Sequence, residues 1–180
     1  MKNIFKAASI LGLLLFISCS EDEKGRDLGQ NGFMNDETFY VLNSAFVNDQ
    51  NTANQLPSPI SVTLSNVNLA DSSAVSNIAR LYFKFNGVAL APGTVATISD
   101  YYLQIQGSFQ PVAGTANFTY VNGTYLLNSA QPQLEAAQKT VTINSVAANR
   151  VDLTFEFTRN DGKVFSGKYS GTFSDAVVAP

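Results

Sequence analysis

Val151, Leu153, Phe155 and Phe157 stand at every second position and alternate with Asp152, Thr154, Glu156 and Thr158. Side chains of a strand point to its two sides in turn, so this run predicts a strand with one buried face. The flanking segments agree. Val141 and Ile143 alternate with Thr140, Thr142 and Asn144 within residues 139–146. After Asn160-Asp161-Gly162, a turn with Gly162 at a left-handed position, Phe165, Gly167, Tyr169, Gly171 and Phe173 share one face. Glycines set among large rings on a single face predict sharp curvature, or rings folded over bare backbone.

The preceding chain reads as strands as well. They are expected over residues 38–47, over Ile60–Leu64, over Ile78–Phe85, near Val95–Ile98 and over Tyr102–Phe109. Asn48-Asp49-Gln50-Asn51 ends the first. Asn86-Gly87 fits a tight hairpin turn, and Asn117–Leu127 reads as a hairpin turning at Asn122-Gly123, since Asn-Gly suits the positive φ angles of such turns. One helical turn is conceivable within Gln131–Gln138, with Pro132 against it. The expectation is all-β: an antiparallel β-sandwich of about nine or ten strands, with an up-and-down barrel as the alternative.

The first eighteen residues differ in kind. Lys2 and Lys6 precede an apolar run from Ala7 to Ile17, which is shorter than the roughly 20 residues a spanning helix needs and so reads as a signal peptide. Phe16-Ile17-Ser18-Cys19 resembles a bacterial lipobox. The resemblance implies cleavage before Cys19, lipidation of its thiol and a lasting outer-membrane anchor, because several acyl chains hold where a single one does so marginally. Cys19 has no second cysteine to pair with. Ser20, Glu21, Asp22 and Glu23 resemble the surface-export signal of Bacteroidetes-type lipoproteins; a solvated acidic spacer is the plainer alternative. The division is therefore 1–18 signal peptide, 19–36 acidic flexible tether and 37–180 one β domain. The early aromatic strand, Leu90 to Thr94, and the ending from Asp161-Gly162-Lys163 through Gly167 to Thr172 are similar to small, uncharacterised Bacteroidetes surface-exposed lipoproteins. That resemblance implies no catalytic residues.

Composition narrows the chemistry. Without residues 1–18 the chain keeps nine Lys/Arg (eleven less Lys2 and Lys6) against all fourteen Asp/Glu, a formal charge of −5. This argues against nucleic acid, which needs clustered cations, and against acidic lipid surfaces. There is no histidine, hence no Ser-His dyad and none of the commonest metal ligand. No cofactor and no metal are expected. Asp152 and Glu156 share a strand face but stand about 13 Å apart at 3.3 Å per residue, too far for a glycosidase pair at about 5–9.5 Å. A pair from different loops, such as Asp100 with Glu135, is open at this stage. Calcium at Asn48–Asn51 or Asn160-Asp161 would need more carboxylates than each loop supplies, so turn chemistry is the better reading. For glycan stacking the candidates are Tyr101, Tyr102, Tyr120 and Tyr125; Tyr101 and Tyr102, being adjacent, face opposite ways in a strand.

The leading expectation is a non-enzymatic, monomeric binding or scaffolding module on the cell surface, whose partner is a glycan, a peptide or an outer-membrane protein. A lipocalin-like carrier of a small apolar ligand is the alternative. A carboxylate-based glycoside hydrolase is the third.

Overall fold

The computed structural model describes residues 29–69, 73–115 and 117–175. Cys19, the Ser20–Glu23 signal, the signal peptide and the start of the tether lie outside these residues. Twelve strands are formed among them: β1 (Gly32–Asn35), β2 (Thr38–Val41), β3 (Ser44–Asp49), β4 (Ser58–Ser65), β5 (Val75–Gly87), β6 (Gly93–Thr94), β7 (Ile98–Pro111), β8 (Phe118–Val121), β9 (Thr124–Asn128), β10 (Ala136–Ala147), β11 (Arg150–Arg159) and β12 (Val164–Asp175). Among the described residues one 3₁₀ turn, Pro132–Leu134, falls where one helical turn was conceivable.

The strands make a sandwich. One layer runs β2-β1-β12-β11-β10-β6, all antiparallel. The other runs β3-β4-β5-β7, with β8 and β9 along the far edge of β7. β12 serves both layers: Val164–Thr172 pairs with β11, and Phe173–Asp175 pairs parallel to Ala45–Val47 of β3. The sheet does not close into a barrel, so the barrel alternative is discarded. The inner faces meet in one hydrophobic core. β4 contributes Ile60, Val62 and Leu64, β5 Leu81, Phe83 and Phe85, and opposite them lie Val141, Ile143, Leu153, Phe155, Phe157 and Phe165, all buried.

The C-terminal strands follow the alternation read from sequence: Val151, Leu153, Phe155 and Phe157 are buried while Thr154 and Glu156 are exposed. Gly162 turns the chain at φ 86°, and Arg159 N donates to Lys163 O across it at 2.8 Å. The glycines of β12 lie under rings, as expected. A Cβ on Gly167 would meet Phe155 Cζ at 2.5 Å, and one on Gly171 would meet the Tyr169 hydroxyl at 2.7 Å.

Several local expectations are corrected. Asn86-Gly87 makes no tight turn; both residues continue β5 opposite Pro59 and Ser58. The strand expected near Val95–Ile98 is replaced by β6 and the start of β7, with Val95 N donating to Val141 O at 2.9 Å. Residues 38–47 are split between β2 and β3. Gly32–Asn35, read from sequence as tether, forms β1, and Phe33 is wholly buried. The expected hairpin at Asn122-Gly123 does not exist. β8 and β9 run in the same direction along β7, pairing Pro111–Ser108 and then Ile105–Tyr102. Asn122-Gly123 thus sits beside a bulge in β7 where Gln106 takes φ 60°. The reversal occurs one loop earlier, where Val112 N donates to Asn117 O at 2.9 Å.

Candidate functional site

The outward residues of β5 and β7 are those left over once the core residues are removed. On β5 these are Arg80, Tyr82 and Lys84; on β7, Gln104, Tyr102 and Asp100 stand opposite them in that order. Continuing across the sheet, Thr63 and Phe46 extend the Tyr82–Tyr102 row on one side, and Tyr125 pairs with Gln104 on the other. The result is an aromatic face centred on an arginine.

Tyr82 and Tyr102 stack with centroids 5.0 Å apart and planes 15° apart, the spacing of neighbouring strands. Tyr125 meets Tyr102 edge-on at 5.9 Å. The bulge at Gln106 brings Gly107 under Tyr120, whose ring occupies the space a Cβ on Gly107 would take. Tyr120 is further fixed by Phe109, edge to face at 5.2 Å, and by Gln104 Nε2 donating to its hydroxyl at 2.8 Å. The Arg80 guanidinium lies 4.5 Å from the Tyr120 ring centre and 5.5 Å from that of Tyr102, within cation–π range. Its Nη2 donates to the Tyr102 hydroxyl at 2.7 Å. Two buried atoms here find no partner: Arg80 Nε, and Oε1 of Gln104, a residue at 0% exposure. Buried polar atoms are nearly always satisfied, so two orphans in one cross-strand pair mark this patch.

No family model, curated protein or solved structure matches the chain.

Burial pushes the Tyr102 hydroxyl up to about 12, with Arg80 opposing the shift. Tyr120 and Tyr82 are raised for the same first reason, loss of solvation. The sign follows. Tyr102 holds its proton in the folded chain above pH 10, where an unfolded tyrosine has lost it. Its contribution to stability is thus complete below about pH 10 and is lost as pH rises towards 12, to a total of roughly 2–3 kcal/mol. Alkaline titration followed by tyrosinate absorbance should show a late step that Tyr102→Phe removes. Denaturant midpoints should fall over the same pH interval.

Of the four tyrosines proposed from sequence, the structure brings together Tyr102, Tyr120 and Tyr125. Tyr101 faces the core at 2% exposure, 5.4 Å from Phe157, and its hydroxyl accepts the Ala136 N–H at 2.7 Å. Arg80, Tyr82 and Gln104 were missed. Their position opposite Leu81, Phe83 and Leu103 in the alternation was the available signal; their cross-strand partnership was not.

The other sequence candidates have local roles. Asp49 Oδ1 accepts Asn51 N and Nδ2 at 2.9 and 2.6 Å, which is turn chemistry. Asp161 accepts Arg159 Nε at 2.9 Å and Lys163 N at 3.1 Å. These bonds, that from Arg159 foremost, hold its carboxyl down to about 2. Asp152 accepts Asn144 Nδ2 at 2.6 Å on the outer face of β11, where Glu156 is also exposed. Asp100 accepts the Ser129 hydroxyl at 2.6 Å and lies 3.9 Å from Lys84. Among the described residues, no three acidic or thiol side chains converge where a metal could be held. An open hollow of about 540 Å³ lies outside the first layer, between Val41, Asn43, Asp152 and Lys168. Its wall is stitched by Asn31, whose side chain exchanges hydrogen bonds of 3.0 and 2.8 Å with the Ser170 backbone.

Proposed function

We propose that the chain is a non-enzymatic, lipid-anchored surface module that binds a glycan on the tyrosine face of β5, β7 and β9. The observation that carries this reading is the half-buried row of Tyr82, Tyr102 and Tyr125 around Arg80 and Gln104. Flat rings offer apolar area to the C–H face of a sugar, while tyrosine hydroxyls and the guanidinium at their rims meet its hydroxyls. Holding the rings in a sheet lowers the ordering cost of binding, since they are fixed before a ligand arrives. Attachment through Cys19, with Ser20–Glu23 directing export, is the companion proposal and rests on the lipobox-like sequence.

Binding of purified full-length protein to immobilised oligosaccharides tests the first part. Tyr125→Ala and Tyr82→Ala should each weaken binding about tenfold, equivalent to about 1.4 kcal/mol, with the fold intact by circular dichroism. Unchanged affinity in both variants would refute the site. Capture of an outer-membrane protein or a peptide with no saccharide response would replace a glycan by a protein partner. In cells, Cys19→Ala should leave the membrane fraction or remain unprocessed; a cleaved variant still sedimenting with membranes would end the anchor assignment.

A further inference from the structure

Arg80 lies on the outer face of the second layer beside Tyr102 and Tyr120. Lys84, Arg159 and Lys163 lie within ion-pair distance of Asp100, Asp161 and Asp36. Among the described residues, Arg80 has no Asp or Glu at that distance, although it is half-buried in an acidic protein. Its positive charge is met by the Tyr102 hydroxyl, by a hydrogen bond with Tyr120 and by the faces of both rings. Tyrosine hydroxyls and ring faces offset the loss of water around such a cation only in part, so an anion is still favoured beside it. Arginine is also the side chain whose planar fork matches a carboxylate or sulfate through two parallel hydrogen bonds. Here the fork is held rigid between aromatic rings rather than left free on a flexible stem.

We infer that the saccharide bound on this face is an acidic one, whose carboxylate or sulfate oxygens dock on Arg80 while its ring stacks on the neighbouring tyrosines. The inference rests on the glycan reading above and adds the charge of the ligand. Asp100, four residues from Gln104 on β7 and 3.9 Å from Lys84, lies at the opposite end of the row from Arg80, so the Arg80 end of the row is the end without a carboxylate. Gln104 lies directly across from Arg80. Its Oε1 and the Arg80 Nε are unpaired, while Gln104 Nε2 and Arg80 Nη2 are held by the Tyr120 and Tyr102 hydroxyls, so the guanidinium is fixed in place before a ligand arrives.

The test is calorimetric titration of full-length protein with three oligomers of equal length: an oligogalacturonate, a sulfated galactose oligomer and a neutral galactose oligomer. One or both acidic oligomers should bind at least tenfold more tightly than the neutral one, and the advantage should shrink as salt is raised. Whichever acidic oligomer is preferred distinguishes carboxylate from sulfate. Arg80→Gln should abolish the preference, bringing acidic and neutral affinities to within about twofold of one another, and Arg80→Lys should restore part of it. Equal affinity of wild-type protein for acidic and neutral oligomers would overturn the inference and leave the glycan site standing. So would a preference that survives Arg80→Gln. Binding of none of the three would overturn the inference, and if wider saccharide panels also fail, the glycan reading falls with it. Should Arg80→Gln fail to fold, the wild-type comparison and its salt dependence decide alone.

Discussion

Truncating Phe155 to alanine should destabilise the domain by about 3–5 kcal/mol, the usual loss of transfer energy plus a cavity for a buried ring. Phe155 is 4% exposed, sits 6.4 Å from the Phe157 ring and covers the bare backbone of Gly167. The glycine beneath has no side chain with which to refill that volume. Thr154, next in sequence, is exposed between Thr142 and Lys168. Thr154→Ala should stay within about 0.5 kcal/mol. Denaturant midpoints at unchanged m decide the matter. Equal losses in the two variants would contradict the register of β11.

Gly123→Ala is the second large effect. A Cβ there would fall on the backbone of β7, against Ile105 O and the Gln106–Gly107 peptide. Backbone cannot rotate away as a side chain can, so β8 and β9 must separate from β7. The expected loss is about 3 kcal/mol, at the upper end for overpacking. Because Tyr120 and Tyr125 flank this position, saccharide binding should be lost in the same variant. Gly162→Ala is the control. It has φ 86° but open space around it, so only the left-handed strain of about 1–2 kcal/mol applies. If thermal melts rank Gly162→Ala as the more damaging, the close approach of β9 to the β7 bulge is wrong.

Legibility in the sequence followed the range of the interactions. Period-two alternation is local, so β4, β5, β10, β11 and β12 could be read directly, and with them the sandwich. Asn-Gly misled twice. Asn and Gly suit any place where backbone is crowded or φ is positive, and a residue packed against a bulge meets that description as well as a hairpin turn does. Gly32–Asn35 was hidden because four residues are too few to show a period, and its partner in β12 is more than a hundred residues away. The tyrosine face was half visible. Alternation put Tyr102 opposite Tyr101, but bringing Arg80, Gln104 and Tyr125 together depends on pairing register, which no single strand encodes.

The way β1 enters the fold has a mechanical consequence. Gly32 and Phe33 pair with Lys168 and Gly167 near the middle of β12, Asn31 clasps Ser170 just beyond, and the end of β12 is zipped to β3. Tension arriving along the chain ahead of Gly32 is delivered to the strand common to both layers rather than to an edge. To be dragged free, the chain must also pull the wholly buried Phe33 ring out of the core. The load path thus runs through the centre of the sandwich, and the aromatic face on β5, β7 and β9 lies at the far side of the second layer from it. A pull on that chain therefore reaches the core before it reaches the aromatic face.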